Sequence, residues 1–103
     1  MVDRGSSSTL VLVLTTEANT KLAEGLANEL LARRLVACVS LQQIQSHYCW
    51  QGELERAQEV QLLIKTSQDQ LDACIRRLES YTAMRPQSGF TGQPLQVILT
   101  LLG

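Results

Sequence analysis

Aromatic side chains are scarce, at 4% of 103 residues, although hydrophobic residues make up 45%. The core must therefore be built from Leu, Val, Ile and Ala. A domain of this length buries only about 60 to 70% of the surface its unfolded chain exposes, so such a core is thin and is often completed by a partner copy. An excess of one charge is also missing. The net charge is −1, with acidic and basic residues well mixed, which argues against nucleic acid and anionic membranes as partners. Apolar runs such as Leu10–Leu14 and Val97–Leu99 fall far short of the roughly 20 residues that span a bilayer. The polar stretch Asp3–Ser8 lacks the apolar segment of a cleavable signal. Cys38, Cys49 and Cys74 are odd in number and show no CxxC spacing, unlike a disulfide framework. These features predict a cytoplasmic protein. With one histidine, no Gly-rich phosphate loop and no recognisable nucleophile–base motif, the chain is not expected to be an enzyme.

What is present reads as one α+β domain over 9–103, preceded by a flexible segment 1–8. Thr9–Thr15 is a short apolar run rich in β-branched residues, the pattern of a strand covered on both faces. Asn19 offers an N-cap to a helix in which Leu22, Leu26 and Leu30 recur every four residues. Arg33 and Arg34 are placed in its last turn, where cations suit the dipole. Strand pattern returns from Val36 to Trp50, with Ile44, Ser46, Tyr48 and Trp50 alternating, and Gln51, Gly52 and Glu53 make a hairpin turn. The return strand is Glu59–Thr66. Ser67 and Gln70 have the form of a capping box before a second amphipathic helix carrying Leu71, Cys74, Ile75 and Leu78. Strand, helix, hairpin, helix is most of a βαββαβ unit, with both helices on one face of an antiparallel sheet.

The tail is ambiguous. Pro86, Gly89, Gly92 and Pro94 break the chain, which makes 82–94 an atypical loop. The run Leu95–Leu102 is a fourth strand by local composition. It also suits a short helix with Pro94 at its first position, in which case Met84–Thr91 must supply the last strand. A long hairpin arm, Leu41–Val60, and a sheet face without helices both predict self-association.

Three segments together resemble the CutA family of divalent-cation tolerance proteins. They are Leu35–Val39 (LVACV), Ser46-x-Tyr48-x-Trp50-x-Gly52-Glu53, and Glu59-Val60-x-Leu62-Leu63-Ile64-Lys65-Thr66. The resemblance implies a ferredoxin-like subunit of a tight homotrimer, similar in architecture to the PII signalling proteins, with clefts between subunits and a link to copper tolerance. The chain departs from that pattern in places. Glu79-Ser80-Tyr81 stands where a His-Pro-Tyr segment is usual, Gln42-Gln43-Ile44 replaces a Pro-Gly bulge, and Thr82–Arg85 lacks a Pro-Glu-Ile strand. Counting along the family pattern puts Gly92-Gln93-Pro94 at the start of a C-terminal helix.

By family match the cleft residues are Tyr48, Trp50, Glu59, Lys65 and Tyr81. Tyr48 and Trp50 share a strand face, suited to stacking a planar ligand or to packing in a subunit interface. Glu59 and Lys65 are assigned to opposite faces of their strand. Lys65 then faces an anionic ligand or an interface carboxylate, and Tyr81 lines a cleft or caps the core. Cys38 and His47 are the candidate ligands for copper or another divalent ion. They are nine positions apart, about 30 Å along one regular strand, so a bend or a neighbouring subunit would have to join them. Three functions follow: metal handling, a PII-like small-ligand module, or a structural docking trimer.

Overall fold

Hydrophobic period and local caps bound the helices, and pairing with neighbours sets the extent of the later strands. The computed structural model describes residues 9–83 and 97–101, and its elements run β1 (Leu10–Glu17), α1 (Thr20–Ala32), β2 (Cys38–Trp50), β3 (Glu53–Ser67), α2 (Gln68–Ala83) and β4 (Val97–Leu101). The sheet is antiparallel throughout, in the order β2-β3-β1-β4. An N-cap and a C-cap bound α1. Asn19 Oδ1 accepts the Leu22 N–H at 2.9 Å. At the other end Arg34 N–H donates to Leu31 C=O at 3.0 Å and Leu35 N–H to Leu30 C=O at 3.1 Å. That pair of bonds is a Schellman cap, with Arg34 at φ 58° where glycine is usual. Arg33 and Arg34 therefore sit in the cap and not in the last turn, a correction to the expected placement; Arg33 is the C-cap residue.

Ser67 caps α2, its Oγ accepting the Gln70 N–H at 3.3 Å. The register pairs Val13 with Ile64, Thr15 with Leu62, and Val39 with Ile64. Directly opposed residues share a face, so one face of the sheet presents Val11, Val13, Val60, Leu62 and Ile64 to the helices. These pack with Ala23, Leu26, Leu30, Cys74 and Leu78 in a single buried cluster. The core is aliphatic, as the shortage of aromatics required, and both helices lie on this one side.

The hairpin arm is longer than its apolar pattern indicates. Gln51 and Gly52, both with positive φ, form the two-residue turn that matches strand twist, and pairing runs unbroken from Trp50–Glu53 to Cys38–Lys65. The return strand therefore starts at Glu53 and not at Glu59. Residues 53–58 (ELERAQ) lack apolar alternation and become strand because the turn and the β2 ladder hold them. No bulge interrupts Gln42–Ile44, in keeping with the missing Pro-Gly.

The tail resolves as strand at Val97–Leu101, which pairs with β1 through Leu12–Leu99 and Val13–Ile98. The helical alternative for this run is overturned: three of its residues, Val97, Ile98 and Thr100, are β-branched, and β1 offers a free edge to complete the sheet. Thr82 and Ala83 close α2 and do not belong to the loop assigned to 82–94. The flexible segment 1–8, the rest of that loop and the alternative strand Met84–Thr91 lie outside the described residues.

Candidate functional site

Register places most of the candidates on the helix-free face of the sheet, spread along the length of the hairpin. Even-numbered β2 residues oppose odd-numbered β3 residues: Cys38 with Lys65, Ile44 with Glu59, Ser46 with Ala57, Tyr48 with Glu55 and Trp50 with Glu53. Cys38, Tyr48, Trp50, Glu59 and Lys65 thus share one face. Glu59 and Lys65 were assigned to opposite faces. They lie six positions apart in an unbroken strand, an even step that puts both on the same side. About 20 Å of strand still separates them, too far for an ion pair.

Glu59 is the unusual member. It is 4% exposed, on the face that no helix covers. Its Oε1 accepts a hydrogen bond from Ser46 Oγ at 2.5 Å, a diagonal contact across the hairpin. Its Oε2 is buried with no hydrogen-bond partner among the described residues. A buried carboxylate oxygen left unsatisfied costs on the order of 1–3 kcal/mol, a cost that a donor or a cation brought to it would remove. Ser46 is the residue that sequence reasoning missed here. It appeared only as one of an alternating series, and its role shows once the turn sets the register.

Lys65 is exposed, while its neighbour Thr66 is 3% exposed. The Thr66 hydroxyl donates to Leu35 C=O at 2.7 Å, and Ala37 N–H donates to Lys65 C=O at 2.8 Å. These two bonds fasten the entry to β2 against the end of β3. They place Cys38, half-buried, directly opposite Lys65.

Tyr81 is not part of this face. It packs on the helix layer beside the core, with its hydroxyl against Gly25 of α1, 2.9 Å from where a Cβ would stand. Within one chain it is separated by the sheet from Tyr48 and Trp50. The close approach also explains Gly25, which the helical pattern left unremarked.

His47 is exposed and faces the other way from Cys38, nine residues along the same straight strand. Among the described residues no group of three or more His, Cys, Asp or Glu is placed to hold a metal ion. Cys38 and His47 of one chain do not fit a shared metal. Cys74 lies fully buried in the core, where desolvation pushes its thiol pKa up to about 11, and Cys49 is exposed on the hairpin.

Comparison with known proteins gives this arrangement a family. The CutA1 divalent ion tolerance protein profile matches residues 11–85. The chain belongs to the CutA1 family. The divalent-cation tolerance protein CutA of Escherichia coli O139:H28 is 39% identical over 83 residues, covering 79% of this chain and 74% of the relative. CutA from Synechococcus elongatus PCC7942 superposes with a TM-score of 0.80 at 36% identity, over 94% of this chain and 80% of that one. The same cyanobacterial CutA complexed with a Bis-Tris molecule gives a TM-score of 0.77 at 32% identity, covering 93% and 83%. Membership of the CutA1 family links the chain to divalent metal tolerance. Among the described residues no helix is long and apolar enough to cross a membrane.

Proposed function

We propose that the chain is a ferredoxin-like subunit of a PII-like homotrimer. In this reading the helix-free sheet faces of neighbouring subunits meet in clefts that handle divalent metal ions, copper foremost. The role is non-enzymatic and cytoplasmic. Glu59 carries the proposal: a buried carboxylate with one oxygen held by Ser46 and the other without a partner among the described residues. It lies on a face that also bears Leu12, Leu14 and Leu63, an apolar surface suited to association. A bound cation or a donor from a second subunit removes the cost of burying that oxygen. Association also supplies what the described residues of one chain lack for a metal, since Cys38 and His47 can converge only across copies.

Light scattering followed by calorimetric titration with copper(I), copper(II), zinc and nucleotides tests the reading. A mass of three chains, with copper saturating near one per subunit and weakened in Glu59→Gln and Cys38→Ser, supports it. A monomer overturns it. The second reading, a small-ligand module without metal function, is favoured by the absence of a three-ligand cluster among the described residues and by the Bis-Tris complex of the cyanobacterial relative. It prevails if the trimer ignores the metals and takes up a small molecule.

A further inference from the structure

The helix layer, on the opposite side of the sheet, carries a concentration of positive charge that none of the foregoing uses. Helices α1 and α2 run antiparallel, as the contacts of Tyr81 with Gly25 and of Arg77 with Glu29 show by stepping along the two chains in opposite directions. Where α1 ends, they leave an open groove of about 330 Å³ lined by Arg33, Leu35, Ala73, Arg76, Arg77 and Ser80. Half of the lining is arginine and none of it is acidic. Glu29 borders the groove through two of these arginines: its Oε2 accepts from Arg33 Nε and lies 3.6 Å from Arg77. Asp72 and Glu79 sit on α2 but are exposed and outside the groove.

Two of the three arginines are held in position. The Arg33 guanidinium is held by its Nε bond to Glu29 Oε2, and the Arg77 side chain, only 24% exposed, lies 3.6 Å from the same oxygen. The Arg33 hydrogen bond holds the Glu29 carboxyl below its ordinary pKa, with desolvation opposing and the charges of Arg33 and Arg77 assisting. Glu29 is therefore ionised at neutral pH and shared by the guanidiniums of Arg33 and Arg77, while Arg76 adds a third cation to the lining.

We propose that this groove binds a phosphomonoester, the phosphate engaging Arg76 together with Arg33 and Arg77, and an apolar body lying on Leu35 and Ala73. Guanidinium forks match phosphate oxygens in geometry as well as charge, and Ser80 adds a hydroxyl donor at the rim. The volume falls at the small end of ligand sites, roughly 300–1,000 Å³, and leaves room beyond a bare phosphate. The proposal does not depend on the metal reading, because the groove and Glu59 lie on opposite sides of the sheet.

Calorimetric titration of the full chain at low salt with phenyl phosphate and with inorganic phosphate tests it, far-UV circular dichroism verifying the fold of each variant. Saturable binding at one per chain is expected, tighter for phenyl phosphate and weakened by salt. Arg76→Gln, an exposed position, should weaken it about tenfold or more. Glu29→Gln should tighten it, since it releases two guanidiniums; if the arginines serve only to order Glu29, that variant binds no better. Absence of saturable binding in the unaltered chain, or unchanged affinity in folded Arg76→Gln, overturns the site. Equal affinity for the two probes overturns the apolar half.

Discussion

Replacing Gly25 with alanine sets two effects of opposite sign against each other, and the structure decides between them. In a helix interior alanine is favoured over glycine by about 1 kcal/mol. At this position, however, the added Cβ would stand 2.9 Å from the Tyr81 hydroxyl oxygen, well inside van der Waals contact. Tyr81 packs against the core, so its rigid ring cannot move away without uncovering apolar surface. Overpacking of this kind costs about 1–3 kcal/mol. The net expectation for Gly25→Ala is a loss of about 1 kcal/mol. In a Tyr81→Phe background the clashing atom is gone and only the propensity gain remains, so the same substitution should stabilise by about 1 kcal/mol. The coupling across the cycle is then about 2 kcal/mol. Urea unfolding of the four proteins at one fixed chain concentration measures it, since association would add a concentration term. If Gly25→Ala stabilises by its full propensity with Tyr81 present, the packing of α2 on α1 at this point is wrong.

Two further outcomes follow from single positions. Arg34 occupies the left-handed position of the Schellman cap at φ 58°, so Arg34→Gly should raise stability by about 0.5–1 kcal/mol; an unchanged or lower melting temperature would contradict that cap geometry. The thiol pKa of Cys74, pushed up to about 11 by burial, means that the native state holds this proton more tightly than the unfolded chain. Its contribution to stability is present below the ordinary thiol pKa and is lost as pH rises towards 11. At neutral pH iodoacetamide should label exposed Cys49 in the native protein and reach Cys74 only on unfolding. Rapid native labelling of Cys74, read by mass spectrometry, would count against its burial.

Elements with a strong hydrophobic period were legible before any coordinates. The leucine stripe of α1, the Asn19 cap, Cys74 in the core and the alternation of Ile44, Ser46, Tyr48 and Trp50 all depend on interactions within a few residues. What was missed depends on distant partners. Glu53–Gln58 has no strand pattern of its own and is held by β2, while Val97–Leu101 satisfies two patterns until the β1 edge selects one. The Ser46–Glu59 contact needs the register, which follows from a turn of two residues and not three. The shared face of Glu59 and Lys65 needed only a correct count along the strand. The arginine groove draws on two helices more than thirty residues apart in sequence, and no local spacing reveals it.

The sheet order has a consequence for how the chain reaches this state. Strand β1 is central, between β3 and β4, yet it is the first strand in sequence. The β2–β3 hairpin can close from its own turn within microseconds, but β1 must wait for partners made much later, Leu12 pairing with both Lys65 and Leu99. Such non-local closure is the slow step in folding. During synthesis the apolar run Leu10–Leu14 is thus also the stretch of sheet exposed longest without a neighbouring strand, and the crowding of nascent chains falls first on it.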